Sequence, residues 1–419
     1  MDNLEKDLKD IKRLTVEIGN FSHKTRKAVL LDFGKIVIHS RKVILQANAK
    51  DLKLLPPSKD AAFRERLALD TKKIMDVAVG IKQIALMPDP LGKILEAKTL
   101  PNRLLLKKVS VPLGVVGVIF ESRPNVTADL ATLAFKTGNA IVLKGGKESF
   151  YSNQAFISLL HKVFKKHGIS NLCAYLISPK SDWRKFLLEA VGLVDVLIPR
   201  GGKELINFVR AHSRVPVIET GAGVCHIFAD EKYNPKIAAD IIVNAKTQRP
   251  SVCNSLDTLV THENISTSLL PLLALRLRDW QVEIRADAPA YKILKSIYPG
   301  QFLKKAVPAD FGREFLSLVM AIKTVRNFKQ GLEFIQTHTS GHSEAILTGN
   351  KKHASLFLQN VDAAAVYHNA SIRFTDGGEF GMGAEVGVST QKLHARGPMG
   401  LEALTSYKWL VYGKGQVRK

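Results

Sequence analysis

Cys253 is the side chain of this 419-residue chain best suited to nucleophilic chemistry. It lies in the polar, basic segment NAKTQRPSVCN (residues 244–254), whereas Cys173 and Cys225 lie in apolar runs. Such runs are typical of buried strands, where a thiol packs like a small hydrophobic side chain and is inert. The sequence therefore predicts that Cys253 is the reactive thiol; the alternative is an ordinary surface cysteine.

Two local features favour the thiolate, which is the nucleophilic form of Cys253. Pro250 ends a preceding helix, and the segment after Cys253 could begin either a helical turn or a strand. A helix N-terminus would stabilise the thiolate, and so would Lys246 and Arg249, which are close in sequence. We therefore expect Cys253 to ionise more readily than an ordinary cysteine.

Length and composition restrict the class of protein. A chain of 419 residues with 46% hydrophobic residues predicts two globular domains with appendages. No apolar run is long enough for a transmembrane helix, and the first residues lack the apolar block of a secretion signal. Three widely spaced cysteines predict no disulfide framework and favour a reducing cytoplasm.

The net charge of +23 raises the alternative of a nucleic-acid-binding protein. However, the basic residues are dispersed among acidic ones, with no basic tail, no basic and aromatic stripe and no zinc-ligand spacing. We therefore expect neither nucleic acid nor a metal as a partner. A basic surface also attracts small anionic molecules.

Regular elements must hold the residues that could carry out the chemistry. The sequence predicts helices in the first part of the chain and alternating strands and helices in the rest. Residues 1 to about 98 have helical periodicity, with Leu8, Ile11 and Ile18 on one face. A strand at 115–120, a helix capped by Thr127 and stopped by Gly138, and a strand at 140–143 then form a parallel crossover. This unit repeats as far as a strand at 215–218. The pattern predicts a doubly wound α/β sheet with ligands at the carboxyl ends of its strands.

Four post-strand loops therefore become candidate binding loops. They cover residues 121–125, 144–147, 199–202 and 219–223, and they are rich in glycine or in basic and polar groups. Gly201, in the third loop, would allow the backbone to approach a cofactor closely. None of the loops matches the G-x-G-x-x-G or Walker pattern.

A second α/β unit is predicted from about residue 224. A helix begins at Pro235 with Asn234 as its N-cap, and strands follow at 258–262 and 319–325. The glycine-dense segment 369–385 comes next. It indicates backbone close to a ligand or to a neighbouring strand, with tight turns as the alternative.

Three blocks carry a resemblance to a known family: residues 111–126, 244–254, and 374–381 through 391–400. In sequence and in order they resemble gamma-glutamyl phosphate reductase, a branch of the aldehyde dehydrogenase superfamily. The resemblance implies an aldehyde-dehydrogenase-like α/β fold. A Rossmann-like cofactor domain with N-terminal helices would comprise 1–98 and 116–222, and an α/β catalytic domain would comprise 223–399. A hairpin and tail, 99–115 and 400–419, would mediate oligomerisation.

The resemblance also implies a reaction and roles for its residues. NADPH would reduce L-glutamyl 5-phosphate to L-glutamate 5-semialdehyde and phosphate through a thioester on Cys253, in proline biosynthesis. Asn125 would stabilise the oxyanion, Lys144 would bind the adenosine ribose, and Glu314 would bind the nicotinamide ribose. Glu219 matches the superfamily's general base. Because activated water is unwanted in this reaction, its role here stays open.

Lys147 gives a physical reason for the choice of NADPH. Many NAD-using relatives place a glutamate three residues after the ribose-binding lysine, where a carboxylate repels a 2′-phosphate. A lysine at this position would attract that phosphate; the alternative is a solvated surface lysine. The doubly anionic substrate would be held by basic side chains in the family-like blocks, and each of these could instead pair with a carboxylate of the fold. The candidates are Arg123, Arg249, Arg373, His394 and Arg396.

Two other functions compete with this interpretation. One is a thioester-forming aldehyde dehydrogenase that acts on a different acyl group. The other is a non-catalytic binding protein on the same fold, favoured only by the net charge. For the enzyme we expect a small acyl phosphate as substrate, a homo-oligomer, channelling with a glutamate 5-kinase, and no membrane partner.

Overall fold

The computed structural model describes residues 4–56, 61–121, 123–179, 181 and 183–418. Its helices are α1 (Leu4–Asn20), α2 (His23–His39), α3 (Arg41–Lys53), α4 (Ala61–Leu67), α5 (Thr71–Leu86), α6 (Pro124–Lys136), α7 (Phe150–Lys166), α8 (Trp183–Glu189), α9 (Lys203–His212), α10 (Pro235–Thr247), α11 (Glu263–Leu277), α12 (Ala288–Leu294), α13 (Phe328–His338) and α14 (Lys351–Asn360). None of the helices in this part of the chain is long and apolar enough to cross a membrane.

The strands divide among several sheets. They are β1 (Ile94–Thr99), β2 (Leu105–Pro112), β3 (Val115–Phe120), β4 (Ala140–Gly145), β5 (Ala174–Leu176), β6 (Val196–Arg200), β7 (His226–Ala229), β8 (Thr258–His262), β9 (Glu283–Ala286), β10 (Leu303–Lys305), β11 (Val319–Val325), β12 (Ser343–Leu347), β13 (Ala365–His368), β14 (Val388–Ser389), β15 (Gly397–Pro398) and β16 (Thr405–Tyr412). The chain forms two compact units. Unit 1 comprises 1–220, 381–387 and 398–419, and unit 2 comprises 221–380 and 388–397.

Unit 1 contains a parallel sheet in the order β5-β4-β3-β6, which confirms the predicted crossovers. Every residue of β3 is buried, because helices cover the sheet. The helix after β3 begins earlier than predicted, with Pro124 in its first turn and Arg123 as N-cap. Thr127 is therefore not a cap: it is buried inside α6, and its hydroxyl donates to Asn153 Oδ1 at 2.9 Å. The strand predicted at 215–218 is only a single bridge between Val217 and Leu197.

The N-terminal region of unit 1 is helical as far as α5, and Leu8, Ile11 and Ile18 are buried as predicted. The helical prediction is wrong at its end, because residues 94–99 form β1. This strand joins β2 and β16 in an antiparallel sheet of order β1-β2-β16. Its six residues are all exposed, so no buried alternation marks it in the sequence.

Unit 2 contains a parallel sheet in the order β10-β9-β11-β8-β7-β12-β13. Helix α10 begins at Pro235 with the Asn234 side chain accepting from the Ile237 and Lys236 amides, as predicted. The central strands fill a core that includes Ile227, Leu259 and other fully buried side chains. The sheet therefore supplies a rigid frame for the loops at both of its ends.

Candidate active site

The polar loops of unit 2 precede their strands. Cys225 comes directly before β7, the turn with Cys253 precedes β8, and Glu314 lies before β11. The sequence rule for open α/β sheets places ligands at the opposite, carboxyl ends of strands. In unit 2 the candidate residues thus occupy the amino-terminal edge, whereas in unit 1 they follow strands as predicted.

Cys253 lies in a turn between α10 and β8 and is half-buried. The structure contradicts one reason given for its reactivity, because the next element is a strand and no helix dipole begins at this residue. The other two cysteines are buried, and burial raises the pKa of Cys173 to about 12 and that of Cys225 well above its usual value. Cys253 is therefore the accessible thiol among the three, all of which lie in described parts of the chain.

The backbone of Cys253 is fixed by close neighbours. The Cys225 thiol donates to the Cys253 carbonyl oxygen at 3.2 Å. Gly223 packs directly against the same peptide: a side-chain carbon at Gly223 would overlap the Cys253 carbonyl and lie 2.8 Å from its Cα. The Asn254 amide donates to the carbonyl oxygens of Arg373 at 3.2 Å and of Thr375 at 2.9 Å. The nucleophile loop is thus held from three sides.

The structure brings to this loop a cation that the sequence did not link to the thiol. Lys246 is fully buried, and its ammonium donates to the Leu256 carbonyl at 2.8 Å. Arg249 is exposed. Arg373, which was predicted only as a substrate ligand, interacts electrostatically with Cys253, and burial lowers the pKa of its guanidinium. Its Nε donates to Gln248 Oε1 at 2.9 Å, which orients the group.

Glu314 lies next to the nucleophile loop. Its carboxylate accepts a hydrogen bond from the Gly223 backbone N–H at 3.0 Å, and Gly223 is the residue packed against Cys253. Unit 2 therefore brings Glu314 and Cys253 together through one shared neighbour.

Asn125 lies in unit 1, in the first turn of α6 rather than in the predicted loop. Ser122, in that loop, lies outside the described residues. The Asn125 amide donates to Asp129 Oδ2 at 3.4 Å, one helical turn away. Burial raises the pKa of Asp129 to about 6, and the nearby Arg200 opposes the rise. Asn125 has a second N–H donor, so this contact orients the amide and leaves one donor for another acceptor.

The predicted cofactor residues of unit 1 lie at the carboxyl ends of neighbouring strands. Lys144 is the penultimate residue of β4, and its ammonium donates to the Gly145 carbonyl at 2.9 Å; burial lowers its pKa. Lys147 is exposed just beyond it. Gly201 directly follows β6, and a side-chain carbon there would lie 2.6 Å from the Glu121 carboxyl carbon. A side chain at Gly201 would therefore have to displace the Glu121 carboxyl group.

Glu219 and Arg123 are also in unit 1. The Glu219 carboxylate pairs with Arg210 at 3.4 Å, and about a quarter of its side chain is exposed. Arg123 is exposed at the N-terminus of α6. The pairing with Arg210 gives Glu219 a structural contact, and its role stays open.

The remaining predicted cations lie near the end of unit 2. Arg396 donates to Asp362 Oδ1 at 2.7 Å, and Lys392 pairs with the other oxygen of the same carboxylate at 2.7 Å. These contacts lower the pKa of Asp362. Arg396 thus has the structural pairing that the sequence left as its alternative, while His394 is exposed.

Sequence reasoning missed two carboxylates, the half-buried Asp129 and the buried Asp257. Asp129 was detectable, because it is four residues after Asn125 and so lies on the same face of α6. Asp257 precedes β8, and its contacts come from loops that are distant in sequence. Only the three-dimensional structure identifies it.

The chain is similar to known proteins over nearly its whole length. No family model matches the chain. The gamma-glutamyl phosphate reductase of Chlorobaculum parvum is 47% identical over 411 residues, which cover 98% of this chain and 97% of that protein. That of Bacteroides thetaiotaomicron is 46% identical over 416 residues, 99% of each chain.

Solved structures give the same picture of the fold. The crystal structure of gamma-glutamyl phosphate reductase from Thermotoga maritima superposes with a TM-score of 0.93 at 39% identity and covers 100% of both chains. An acetylating aldehyde dehydrogenase from Geobacillus thermoglucosidasius, 15% identical, superposes with a TM-score of 0.70 over 100% of this chain and 98% of that one. The aldehyde-dehydrogenase-like fold predicted from the sequence is confirmed.

Proposed function

Because the chain belongs to the gamma-glutamyl phosphate reductase family, we propose that it reduces L-glutamyl 5-phosphate to L-glutamate 5-semialdehyde and phosphate, with NADPH as reductant, in proline biosynthesis. The observation that carries this proposal is the state of Cys253: it is the accessible thiol, its peptide is fixed by Gly223 and Cys225, and Arg373 lies nearby.

The thiolate of Cys253 attacks the acyl carbon of the substrate. The bond from that carbon to the phosphate oxygen breaks, and inorganic phosphate leaves with the electron pair. The thioester that results keeps the glutamyl group on the enzyme. NADPH, when bound, supplies a hydride to the thioester carbon. The carbon–sulfur bond then breaks, which releases the aldehyde and regenerates the thiolate.

Both steps pass through a tetrahedral oxyanion. Asn125 is suited to donate to it, because Asp129 holds one amide hydrogen and the other stays available. One such donor typically contributes about 3 kcal/mol to transition-state stabilisation. Arg373 favours the Cys253 thiolate and is available to a substrate anion.

The donor set of unit 1 fits a dinucleotide that carries a 2′-phosphate. Lys144 and Lys147 place two cations at the carboxyl end of β4, and Lys147 is exposed to solvent. The glycine at position 201 keeps the backbone after β6 free of side-chain bulk. In unit 2, Glu314 would hold the nicotinamide ribose next to Cys253. The argument for NADPH over NADH depends on the charge of Lys147.

A cytoplasmic location, a homo-oligomer and channelling with a glutamate 5-kinase belong to the same proposal. The absence of disulfides among the three cysteines supports a reducing compartment. Large apolar side chains on the β1-β2-β16 sheet support self-association, since Leu95, Trp409 and Val411 are exposed there.

The reverse reaction tests the proposal most cleanly. Purified protein, glutamate 5-semialdehyde and NADP should form more than one equivalent of NADPH per active site only when phosphate is added. Replacing phosphate by coenzyme A tests the alternative of a thioester-forming dehydrogenase with another acceptor. Cys253→Ala should abolish the reaction, and the matched control Cys173→Ala should retain it. Continued NADPH formation beyond one equivalent per active site in the absence of phosphate would refute the proposal.

A further inference from the structure

A buried polar cluster lies beneath the nucleophile loop, and the reaction described above does not use it. Lys246 is 0% exposed, Asp257 is 1% exposed, and Cys225 is 0% exposed. They come from α10 and from the residues preceding β8 and β7. Buried charges are rare unless they are paired, so a lysine and an aspartate at this place call for a physical reason.

The Asp257 carboxylate joins two loops through its two oxygens. Oδ1 accepts from the Phe315 backbone N–H at 2.9 Å, and Oδ2 accepts from the Cys225 backbone N–H at 3.3 Å. The Asp257 N–H donates in turn to the Cys225 carbonyl at 3.0 Å. One carboxylate thus fixes the segment before β11 to the segment before β7.

The segments before β11 and before β7 are both linked to residues of the proposed site. Cys225 donates its thiol hydrogen to the Cys253 carbonyl at 3.2 Å. Phe315 is adjacent in sequence to Glu314, whose carboxylate accepts from Gly223 at 3.0 Å. The nucleophile and the candidate ribose-binding carboxylate are therefore both connected to Asp257.

The charges around Asp257 come from every element packed on it. Lys246, on α10, interacts with it electrostatically and donates to the carbonyl oxygen of the adjacent Leu256 at 2.8 Å. Cys225 approaches it from the segment before β7, and Glu314 acts on it from the segment before β11. Burial raises the pKa of Asp257, while Lys246 lowers it. Burial likewise lowers the pKa of Lys246, and Asp257 opposes that change. Each group thus favours the charged form of the other.

We propose that Asp257 is a positioning residue, which sets the placement of Glu314 relative to the Cys253 loop, and that the buried Lys246 is its counter-charge. The proposal rests on the proposed function, because it assigns Glu314 to the nicotinamide ribose. A carboxylate can accept from both backbone N–H groups at once. An asparagine can accept from only one and directs its own N–H₂ against the other.

The experiment compares Asp257→Asn and Lys246→Met with wild type, and with Asp240→Asn as a matched control. Asp240 is an exposed aspartate on α10 that pairs with Arg276 on the surface. The readout is direct binding of NADPH followed by fluorescence between pH 5.5 and pH 9, together with the rate of Cys253 alkylation by iodoacetamide. Circular dichroism reports whether each variant is folded.

We expect D257N to weaken NADPH binding at least 10-fold at pH 8 and to change the alkylation rate at least 5-fold. K246M should move the acidic limb of NADPH binding to higher pH by at least one unit, because without the lysine Asp257 ionises only at higher pH. A purely structural role would not move this limb. D240N should behave as wild type in both measurements.

The inference would be overturned if D257N bound NADPH with wild-type affinity. It would also be overturned if the acidic limb of the pH dependence of NADPH binding did not shift in K246M. If D257N does not fold, the K246M limb decides alone. A wild-type protein that does not bind NADPH would instead refute the proposed function. The alkylation rate of D257N would then still decide the positioning role, because that reaction needs neither cofactor nor substrate.

Discussion

Gly223→Ala is the substitution whose effect on the nucleophile can be worked out most directly. The added Cβ would overlap the carbonyl carbon and oxygen of Cys253 and lie 2.8 Å from its Cα. Carbon atoms in contact are ordinarily about 3.5–4.0 Å apart. Because the obstructing atoms are backbone, no side-chain rotation can relieve the overlap, and the Cys253 peptide must retreat by about 1 Å.

A displacement of that size is large for a reacting atom. Misplacement by about 1 Å can reduce a rate by roughly 100-fold. The retreat would also stretch the 3.2 Å contact from the Cys225 thiol to the Cys253 carbonyl. We therefore expect kcat in the phosphate-dependent reverse assay to fall about 100-fold in Gly223→Ala, with a smaller change in KM for the semialdehyde.

The matched control is Gly300→Ala, since a Cβ at Gly300 meets no atom within 4 Å. It adds the same methyl group to unit 2 without a clash, and it should keep wild-type activity and melting temperature. The assay is steady-state kinetics with both variants, accompanied by thermal unfolding. Wild-type kcat in a folded Gly223→Ala protein would refute the reasoning that close packing on Gly223 positions the thiol.

Three further predictions concern the oxyanion, the cofactor and the pH dependence of stability. Asn125→Ala should lower kcat about 100-fold or more and change KM little, as measured by steady-state kinetics; an unchanged kcat would remove its role. Lys147→Glu should shift the ratio of kcat/KM for NADPH over NADH toward NADH by at least 10-fold, and an unaltered ratio would contradict the charge argument. Burial lowers the pKa of His342 from 6.5 to about 4; because the folded state then binds fewer protons than the unfolded one, about 3 kcal/mol of stability is lost as pH falls from about 6.5 to about 4. Urea unfolding at pH 7.5 and pH 5 should show about 2 kcal/mol of this loss in wild type, because pH 5 lies about 1.5 units below the unfolded pKa. The loss should be smaller in His342→Gln, and equal losses would contradict the assignment.

Local sequence patterns predicted the elements whose signals are local. Asn234 and Pro235 mark the start of α10, and the structure has both in the predicted positions. The apolar surroundings of Cys173 and Cys225 correctly indicated burial. These features depend on neighbours in sequence, so propensity and periodicity are sufficient to find them.

The errors arose where a local signal was misread. Pro124 is a good first-turn residue and marks the start of α6, whereas the sequence analysis assigns the N-cap of this helix to Thr127. Lys246 was read as a cation beside the thiol because it is close in sequence. It follows Ala239 by seven residues and Ile242 by four, so helical periodicity places it on the buried face of α10.

Other features depend on tertiary contacts and left no sequence signal. Strand β1 is exposed throughout and exists because it pairs with β2. Arg373 approaches Cys253 because the Asn254 amide binds the backbone of residues 373 and 375. The Asn254 contacts join segments more than a hundred residues apart, and no periodicity can reveal them.

Covalent trapping of the acyl group on Cys253 tests the central claim most directly. Protein incubated with glutamate 5-semialdehyde and NADP without phosphate should accumulate a γ-glutamyl thioester. Peptide mass spectrometry should locate the adduct on Cys253, and added phosphate should release it with first-order kinetics. An adduct on another residue, or turnover with no acyl-enzyme during a phosphate-free incubation, would contradict the account.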